Sequence, residues 1–368
     1  LTVPVIRCTD CGQPYPDHDA PHLCPVCGGI YDFDGPPDFS LERIDPSLPG
    51  YWRYRSAFSL TSGAPVVTLG EGNTPLVWVE RGGRQIGLKL ESLNPTGSYK
   101  DRGSAVLVSQ LLGRGVQEAV EDSSGNAGAS FAAYAAWSGI RSRIFVPESA
   151  SGPKRQQIEL YGAELIRVPG PRSEAARAVL AEVQRGAVYA SHAYLPFGLA
   201  GIATIAYEIW EQLGRMEPGC VIAPVGHGGL LLGIRRGFAA LKNAGLITDE
   251  PFYLGVQAAA CDPVVRAAQR GLAAMAEVGE GATLAEGVRV TKPARARALI
   301  QEIPPDRGTF IAIPEGEIEP AYRDLGRRGI SAEPTSALAW AALDHLPPGI
   351  RAPIIAVLTG FGLKYMPS

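Results

Sequence analysis

Lysine is scarce in this chain: it supplies 6 of the 34 basic residues, arginine the other 28. A basic excess is missing as well. With 37 acidic against 34 basic residues the net charge is -3, which excludes a general nucleic-acid binder, because that needs a cationic face to neutralise phosphates. No apolar run reaches the ~18 residues of a membrane-spanning helix. The first residues, LTVPVIRCTDCG, lack the basic-then-apolar pattern of a secretory signal, so a cytoplasmic protein is expected. Charge blocks, internal repeats and low-complexity tracts are absent too. What is there is a folded chain: 368 residues, 46% hydrophobic and 19% charged. At about 150 residues per domain that length holds two or three domains. Glycine (44) and proline (31) together exceed the usual ~12%, which points to many loops and backbone-lined sites.

Four of the six cysteines fall in the first 27 residues. Cys8, Cys11, Cys24 and Cys27 form C-x2-C-x12-C-x2-C, and each pair is followed by glycine. A CxxCG knuckle aims two thiolates at one point, the glycine relieving the turn. Two knuckles complete the tetrahedral shell of a structural zinc, so a zinc-ribbon-like segment is expected over residues 1–35. His18 and His22 lie between the pairs and are read as loop residues, since four thiolates fill the shell. Cys220 and Cys261 stand alone and are read as buried, inert thiols.

Residues 31–50, YDFDGPPDFSLERIDPSLPG, read as a loop-rich connector. From about residue 85, strand-length apolar runs (85–91, 143–148, 164–169, 220–226, 252–258, 309–314 and 354–360) alternate with helix-period segments. Repeated strand–helix–strand units predict an α/β protein with mostly parallel sheets covered by helices on both faces. Ligands in such sheets collect beyond the carboxyl ends of the strands.

Three glycine-rich breaks and one terminal turn are candidates for the site. In NPTGSYKDRGSA (94–105) a turn precedes a helix that Ser98 would cap, with Lys100 in its first turn. A helix start disfavours a cation, and Schiff-base or proton-transfer chemistry needs a neutral amine. The plain alternative is a surface lysine paired with Asp101. In EDSSGNAGASFAAY (121–134) a strand runs into SSGN, which opens a helix; its N–H groups and the Ser123 and Ser124 hydroxyls suit a carboxylate or phosphate, and Asn126 offers a further donor. In VIAPVGHGGLLLGIRRG (221–237), Gly226, Gly228 and Gly229 let backbone amides approach a phosphate. Leu231 stands where a dinucleotide fingerprint needs its third glycine, so a monophosphate fits better than a nicotinamide cofactor. In the last turn, VLTGFGLKYMPS, Thr359 ends an apolar strand where its hydroxyl would face a bound ring.

These segments, with LGEGNTPLV (69–77) and GISAEPTSALAWAAL (329–343), resemble the fold-type II pyridoxal-phosphate enzymes, and among them the threonine synthase-like branch, along essentially the whole chain. The resemblance implies two doubly wound α/β domains with the cofactor in the cleft between them: residues 36–95 with 200–368 forming the large domain, residues 96–199 the small one. It implies that Lys100 binds the cofactor as a Schiff base and shuttles protons. Asn126 would bond the ring hydroxyl, Gly226, His227, Gly228 and Gly229 would cradle the phosphate, and Thr359 would face the pyridine nitrogen. Ser123, Ser124 and Gly125 would receive the substrate carboxylate. A neutral hydroxyl at the pyridine nitrogen makes a weaker electron sink than an aspartate partner, which favours elimination and replacement over transamination. The implied activity is a lyase reaction on an amino acid such as O-phosphohomoserine, by elimination and water addition, in a cytoplasmic homodimer without nucleic-acid or membrane partners.

The substrate segment departs from the family. Typical threonine synthases carry Asn and Arg near here to grip a phosphate; this chain reads YLPFGLAGIAT, with Leu195 and Gly198 in those places. Arg102, Lys154 and Arg155 are the candidate substitutes. His227 and His192 are read as plain loop residues, with a group reaching the substrate as the alternative for each. The alternatives within the family are a serine, threonine or diaminopropionate ammonia-lyase and a cysteine-synthase-like replacement. Outside it stands a zinc-ribbon binding protein on an inactive scaffold, which the intact Lys100, Asn126 and Thr359 oppose.

Overall fold

The computed structural model describes residues 5–150 and 152–365. Its strands are β1 (Ile6–Cys8), β2 (Tyr31–Phe33), β3 (Leu76–Arg81), β4 (Arg84–Leu90), β5 (Glu118–Glu121), β6 (Arg141–Pro147), β7 (Glu164–Val168), β8 (Val188–Tyr189), β9 (Cys220–Pro224), β10 (Phe252–Ala258), β11 (Gly308–Ile313) and β12 (Ile354–Leu358). Its α-helices are α1 (Lys100–Gly113), α2 (Asn126–Ser138), α3 (Pro153–Leu160), α4 (Arg172–Gln184), α5 (Gly198–Gln212), α6 (Gly229–Asn243), α7 (Pro263–Arg270), α8 (Ala296–Glu302), α9 (Glu315–Arg327) and α10 (Pro334–Ala341). All seven apolar runs are strands. No helix among the described residues is long and apolar enough to cross a membrane.

The chain divides into two compact units, one from residues 5–72 and 94–202, the other from 73–93 and 203–365. The first holds a parallel sheet in the order β7-β6-β5-β8. Val120, Phe145, Val179 and Tyr189 form its core on one face. Helices α1 and α2 of this unit pack against each other. A Cβ on Gly128 would lie 1.9 Å from the Ser123 carbonyl oxygen, so that position of α2 accepts no side chain.

The connector belongs to this first unit, whereas the sequence division put residues 36–72 with the C-terminal part. The reason is a set of buried rings that no periodicity signals. Tyr51, Trp52, Tyr54 and Phe58 are all buried. Tyr51 donates to the Arg102 carbonyl at 2.8 Å, and Trp52 Nε1 donates to Glu71 at 2.7 Å. The Val67 N–H donates to the Ser109 hydroxyl at 3.0 Å. Burying Phe58 alone contributes about 2 kcal/mol.

The second unit holds a six-stranded sheet in the order β11-β10-β9-β12-β4-β3. All its pairings are parallel except β3 on β4. Every residue of β9 and β12 is buried, which is why these strands read as unbroken apolar runs rather than alternating ones. The core gathers Ile222, Leu254, Val256, Ile354, Leu358 and Trp340.

Candidate active site

Lys100 opens α1 and is half-buried, its Nζ 4.9 Å from the centre of the Tyr99 ring. Ser98 does not cap the helix. Tyr99 already has helical torsions (φ -56°, ψ -17°), and the Ser98 hydroxyl is buried with no hydrogen-bond partner among the described residues. Asp101 is no surface counter-ion either. It is fully buried; one oxygen accepts the Thr96 N–H at 2.7 Å, and the other accepts Thr96 Oγ1 and Ser130 Oγ, each at 2.6 Å. The carboxylate next to the lysine thus fixes the turn before α1 and ties it to α2.

The loop after β5 leads into α2 through an extended Gly125 as N-cap, with no side-chain cap. Ser123, Ser124, Gly125 and Asn126 lie together there, all half-buried. Glu121 stands behind them, accepting the backbone N–H of Asp122 and, at 3.0 Å, that of Ser123. Asp122 accepts the Tyr189 hydroxyl at 2.7 Å. Burial pushes the Glu121 carboxyl up, and burial together with the Glu121 charge raises Asp122 to about 6. His192 Nδ1 is 3.5 Å from Glu121. Burial and then the Lys100 charge hold this imidazole well below its ordinary value.

In the second unit, β9 ends in the loop that starts α6. Gly228 takes φ +97°, open to glycine, and a Cβ there would lie 2.8 Å from Leu299. A Cβ on Gly226 would lie 2.9 Å from the Gly287 carbonyl oxygen. Neither position has room for a side chain, and the start of a helix is an anion site. These residues fit a phosphate group. His227 is tied into the loop: its Nδ1 accepts the Ala294 N–H at 3.5 Å and its carbonyl accepts the Arg295 N–H at 2.9 Å. Thr359 follows β12 and is buried, its Oγ1 3.1 Å from Ser336 Oγ; the Ser336 oxygen also accepts the N–H groups of Thr359 (2.9 Å) and Gly360 (3.2 Å).

At the N-terminus β1 and β2 pair antiparallel, and the sulfurs of Cys8, Cys11, Cys24 and Cys27 lie within 4.8 Å of one another, a group able to hold a metal ion. Gly12 and Gly28, one residue past each pair, have φ of +73° and +75°, the turn that each knuckle requires. His22 is no ligand; its ring meets Tyr189 edge-on at 5.3 Å.

Similarity to known proteins decides which family carries this lysine, the loop before α2 and the glycine turn before α6. The family model for pyridoxal-phosphate dependent enzymes matches residues 67–360. The chain belongs to this family. Curated relatives named threonine synthase include that of Methanocaldococcus jannaschii, 34% identical with 97% of this chain and 92% of the relative covered. That of Methanosarcina acetivorans is 31% identical over 98% and 92%. Among solved structures, a threonine deaminase from T.th. superposes with a TM-score of 0.66 at 27% identity, covering 80% of this chain and 94% of that one. Maize serine racemase superposes at 0.67 and 20% identity, covering 78% and 88%, a likeness of fold.

Within this pyridoxal-phosphate family the departures at Leu195 and Gly198 have a structural cause. Leu195 is buried, and a Cβ on Gly198 would lie 3.1 Å from both Gly103 Cα and its carbonyl oxygen. The first turn of α5 rests backbone to backbone on α1, which leaves no room for a cationic side chain at position 198. Of the proposed substitutes, Arg102 is fully buried, its guanidinium 5.8 Å from the Tyr51 ring centre. Arg155 donates to the Ala150 carbonyl at 3.3 Å, and Lys154 is half-buried in the first turn of α3. Sequence reasoning missed Ser336, Glu121, Asp122 and the role of Asp101. Ser336 lay within a matching segment, and its place in the first turn of a helix beginning Pro-Thr-Ser was the available signal.

Proposed function

We propose that the chain is a pyridoxal-phosphate-dependent lyase of the threonine synthase type. It converts an amino acid such as O-phosphohomoserine to threonine, releasing phosphate and adding water. The observation that carries this reading is the run of threonine synthases at 31–34% identity across most of the chain, supported by a lysine at the start of α1 and a glycine-walled helix start on α6.

The bound cofactor supplies an aldehyde that condenses with amines and a conjugated ring that accepts electron density from the substrate α-carbon. Lys100 Nζ would hold the cofactor, and as a free amine it would take the α-proton of the substrate. Asn126 would bond the ring hydroxyl, and Thr359, held by Ser336, would serve the pyridine nitrogen. Gly226, His227, Gly228 and Gly229 hold the phosphate through backbone N–H groups. Ser123, Ser124 and Gly125 hold the substrate carboxylate.

The same reading gives the four cysteines a structural zinc. Zn–S bonds of about 2.3 Å put tetrahedral sulfurs about 3.8 Å apart; Cys8 and Cys27 are 3.4 Å apart, Cys11 and Cys24 3.7 Å. One metal per chain, released by a chelator with loss of ribbon structure, is expected. A cytoplasmic homodimer follows from the resemblance and is checked by sedimentation.

The deciding experiment is borohydride reduction of the coloured protein with peptide mapping, followed by assay on O-phosphohomoserine. The cofactor should be trapped on Lys100, and phosphate and threonine should appear in equal amounts. Keto acid from serine or threonine, with no phosphate release, would move the assignment to an ammonia-lyase; labelling elsewhere would overturn the site.

A further inference from the structure

The stretch between the two cysteine knuckles packs against segments that carry the candidate site. Residues 12–23 run as loop and turns, so their shape depends on what holds them. One hold is Arg114, which closes the helix begun by Lys100. Its guanidinium donates to the carbonyls of Pro16 and Asp19, each at 2.7 Å. It also lies 5.0 Å from the centre of the Tyr15 ring and 5.2 Å from that of Phe197. The other hold is the four-sulfur group, which has Cys11 at one end of the stretch and Cys24 at the other. His22 stands two residues before Cys24. Its ring meets Tyr189 edge-on at 5.3 Å and Tyr194 at 5.9 Å. Tyr189 is buried, and its hydroxyl donates to Asp122 at 2.7 Å. Asp122 directly precedes Ser123, where the loop before α2 begins. Two non-covalent links, a ring contact and a hydrogen bond, therefore join the cysteine group to the candidate carboxylate loop.

We propose that His22 is a positioning residue for the loop at 123–125, and that a metal on the four cysteines sets its place. The inference rests on the reading of that loop as the site of the substrate carboxylate. A metal on the sulfurs ties the two ends of the 12–23 stretch together, and the free energy of metal binding goes into ordering the residues around it. His22 then backs the Tyr189 ring, and the Tyr189 hydroxyl holds Asp122 and with it the start of the loop. Metal loss frees Cys24, and His22 with it. The effect falls on substrate binding rather than on the chemical step. Lys100 is fixed by a separate set of bonds, from Asp101 to Thr96 and Ser130, that does not pass through the ribbon.

The test compares the holoenzyme with the same protein after chelation and with its His22→Ala and His22→Phe variants. Amide hydrogen exchange is read at residues 121–126, metal content by elemental analysis, and kinetics on O-phosphohomoserine. Loss of an edge-on ring contact allows a change of up to about tenfold. Chelation and His22→Ala should each speed exchange at 121–126 and raise KM by about that factor, with kcat nearly unchanged, the pattern of lost uniform binding. His22→Ala should keep its metal, since four thiolates fill the shell, and His22→Phe, which keeps a ring, should restore both readings. Exchange at 121–126 that chelation leaves unmoved would overturn the link to the metal. Wild-type exchange in His22→Ala would overturn the positioning role, as would a KM rise that His22→Phe fails to reverse or a fall in kcat as large as the rise in KM. A wild-type chain that does not consume O-phosphohomoserine would instead remove the proposed function, and the exchange readings would still decide the coupling.

Discussion

The Asp101 carboxylate accepts the Ser130 hydroxyl at 2.6 Å, joining the first turn of α1 to the first turns of α2. Ser130 Oγ also reaches Ser104 Oγ at 2.7 Å. The residue after the candidate lysine is thus a buried anchor between the two segments that carry Lys100 and the loop before α2.

Removing that anchor should cost stability before chemistry. Hydrogen bonds to a buried charge contribute about 1.5–3 kcal/mol each, and they are not additive. Asp101→Ala should destabilise the chain by about 3 kcal/mol, and Ser130→Ala, which leaves the Thr96 bonds intact, by about 1 kcal/mol. Denaturant unfolding of both variants checks the order. Equal losses would mean that Asp101 acts only through Ser130.

Ser336 holds Thr359 from two sides, through its N–H at 2.9 Å and its hydroxyl at 3.1 Å. Ser336→Ala strands two backbone N–H groups, at about 1–3 kcal/mol for each that water cannot reach. Thr359 would then turn freely. The expected result is a cofactor dissociation constant raised about tenfold, equivalent to ~1.4 kcal/mol, read by fluorescence titration into the cofactor-free protein. A variant with wild-type affinity would show that Thr359 needs no support.

The strands were legible because β9 and β12 are buried on both faces and therefore read as unbroken apolar runs. The glycine breaks were legible because close backbone approach admits no other residue, as at Gly228. Side chains that act through a second residue left no such trace. Asp101 beside Lys100 looked like a surface pair, and only the fold shows Thr96 and Ser130 around it. Glu121 was one letter of a strand end, and its partner His192 comes 71 positions later in the chain, across a pairing that β8 makes with only two residues. The rings at 51–58 follow no helical or strand period, so their unit could not be read in advance.

Lys89 sits in β4 with its side chain fully buried, 2.8 Å from Glu208 of α5. Its Nζ also donates to Gln212 Oε1 and the Thr74 carbonyl, at 3.0 and 2.7 Å. Taking away one partner of a buried ion pair costs up to about 3–5 kcal/mol. Glu208→Leu should therefore unfold at much lower denaturant, whereas the double variant Lys89→Met with Glu208→Leu should recover most of the loss. Recovery is the decisive reading, because a purely steric role for Glu208 predicts that the double variant is no better than the single.

Asp122 gives a pH signature of its own. Its carboxyl is raised from 3.8 to about 6 in the folded chain, by burial first and by the Glu121 charge second. Between about pH 4 and pH 6 the folded chain keeps a proton that the unfolded chain has released, so stability is lost as pH rises through that window. The loss is at most about 3 kcal/mol, at 1.36 kcal/mol per unit. Asp122→Asn carries no titrating group, so its stability relative to wild type should climb from pH 4 to pH 6.5 and then level. Carboxylates held low by arginine, such as Asp249 beside Arg307, act in the opposite sense but cancel in the difference between the two proteins. Urea unfolding of both across this range tests the sign: a difference that stays constant with pH would show that Asp122 titrates normally, its bond to Tyr189 offsetting the burial.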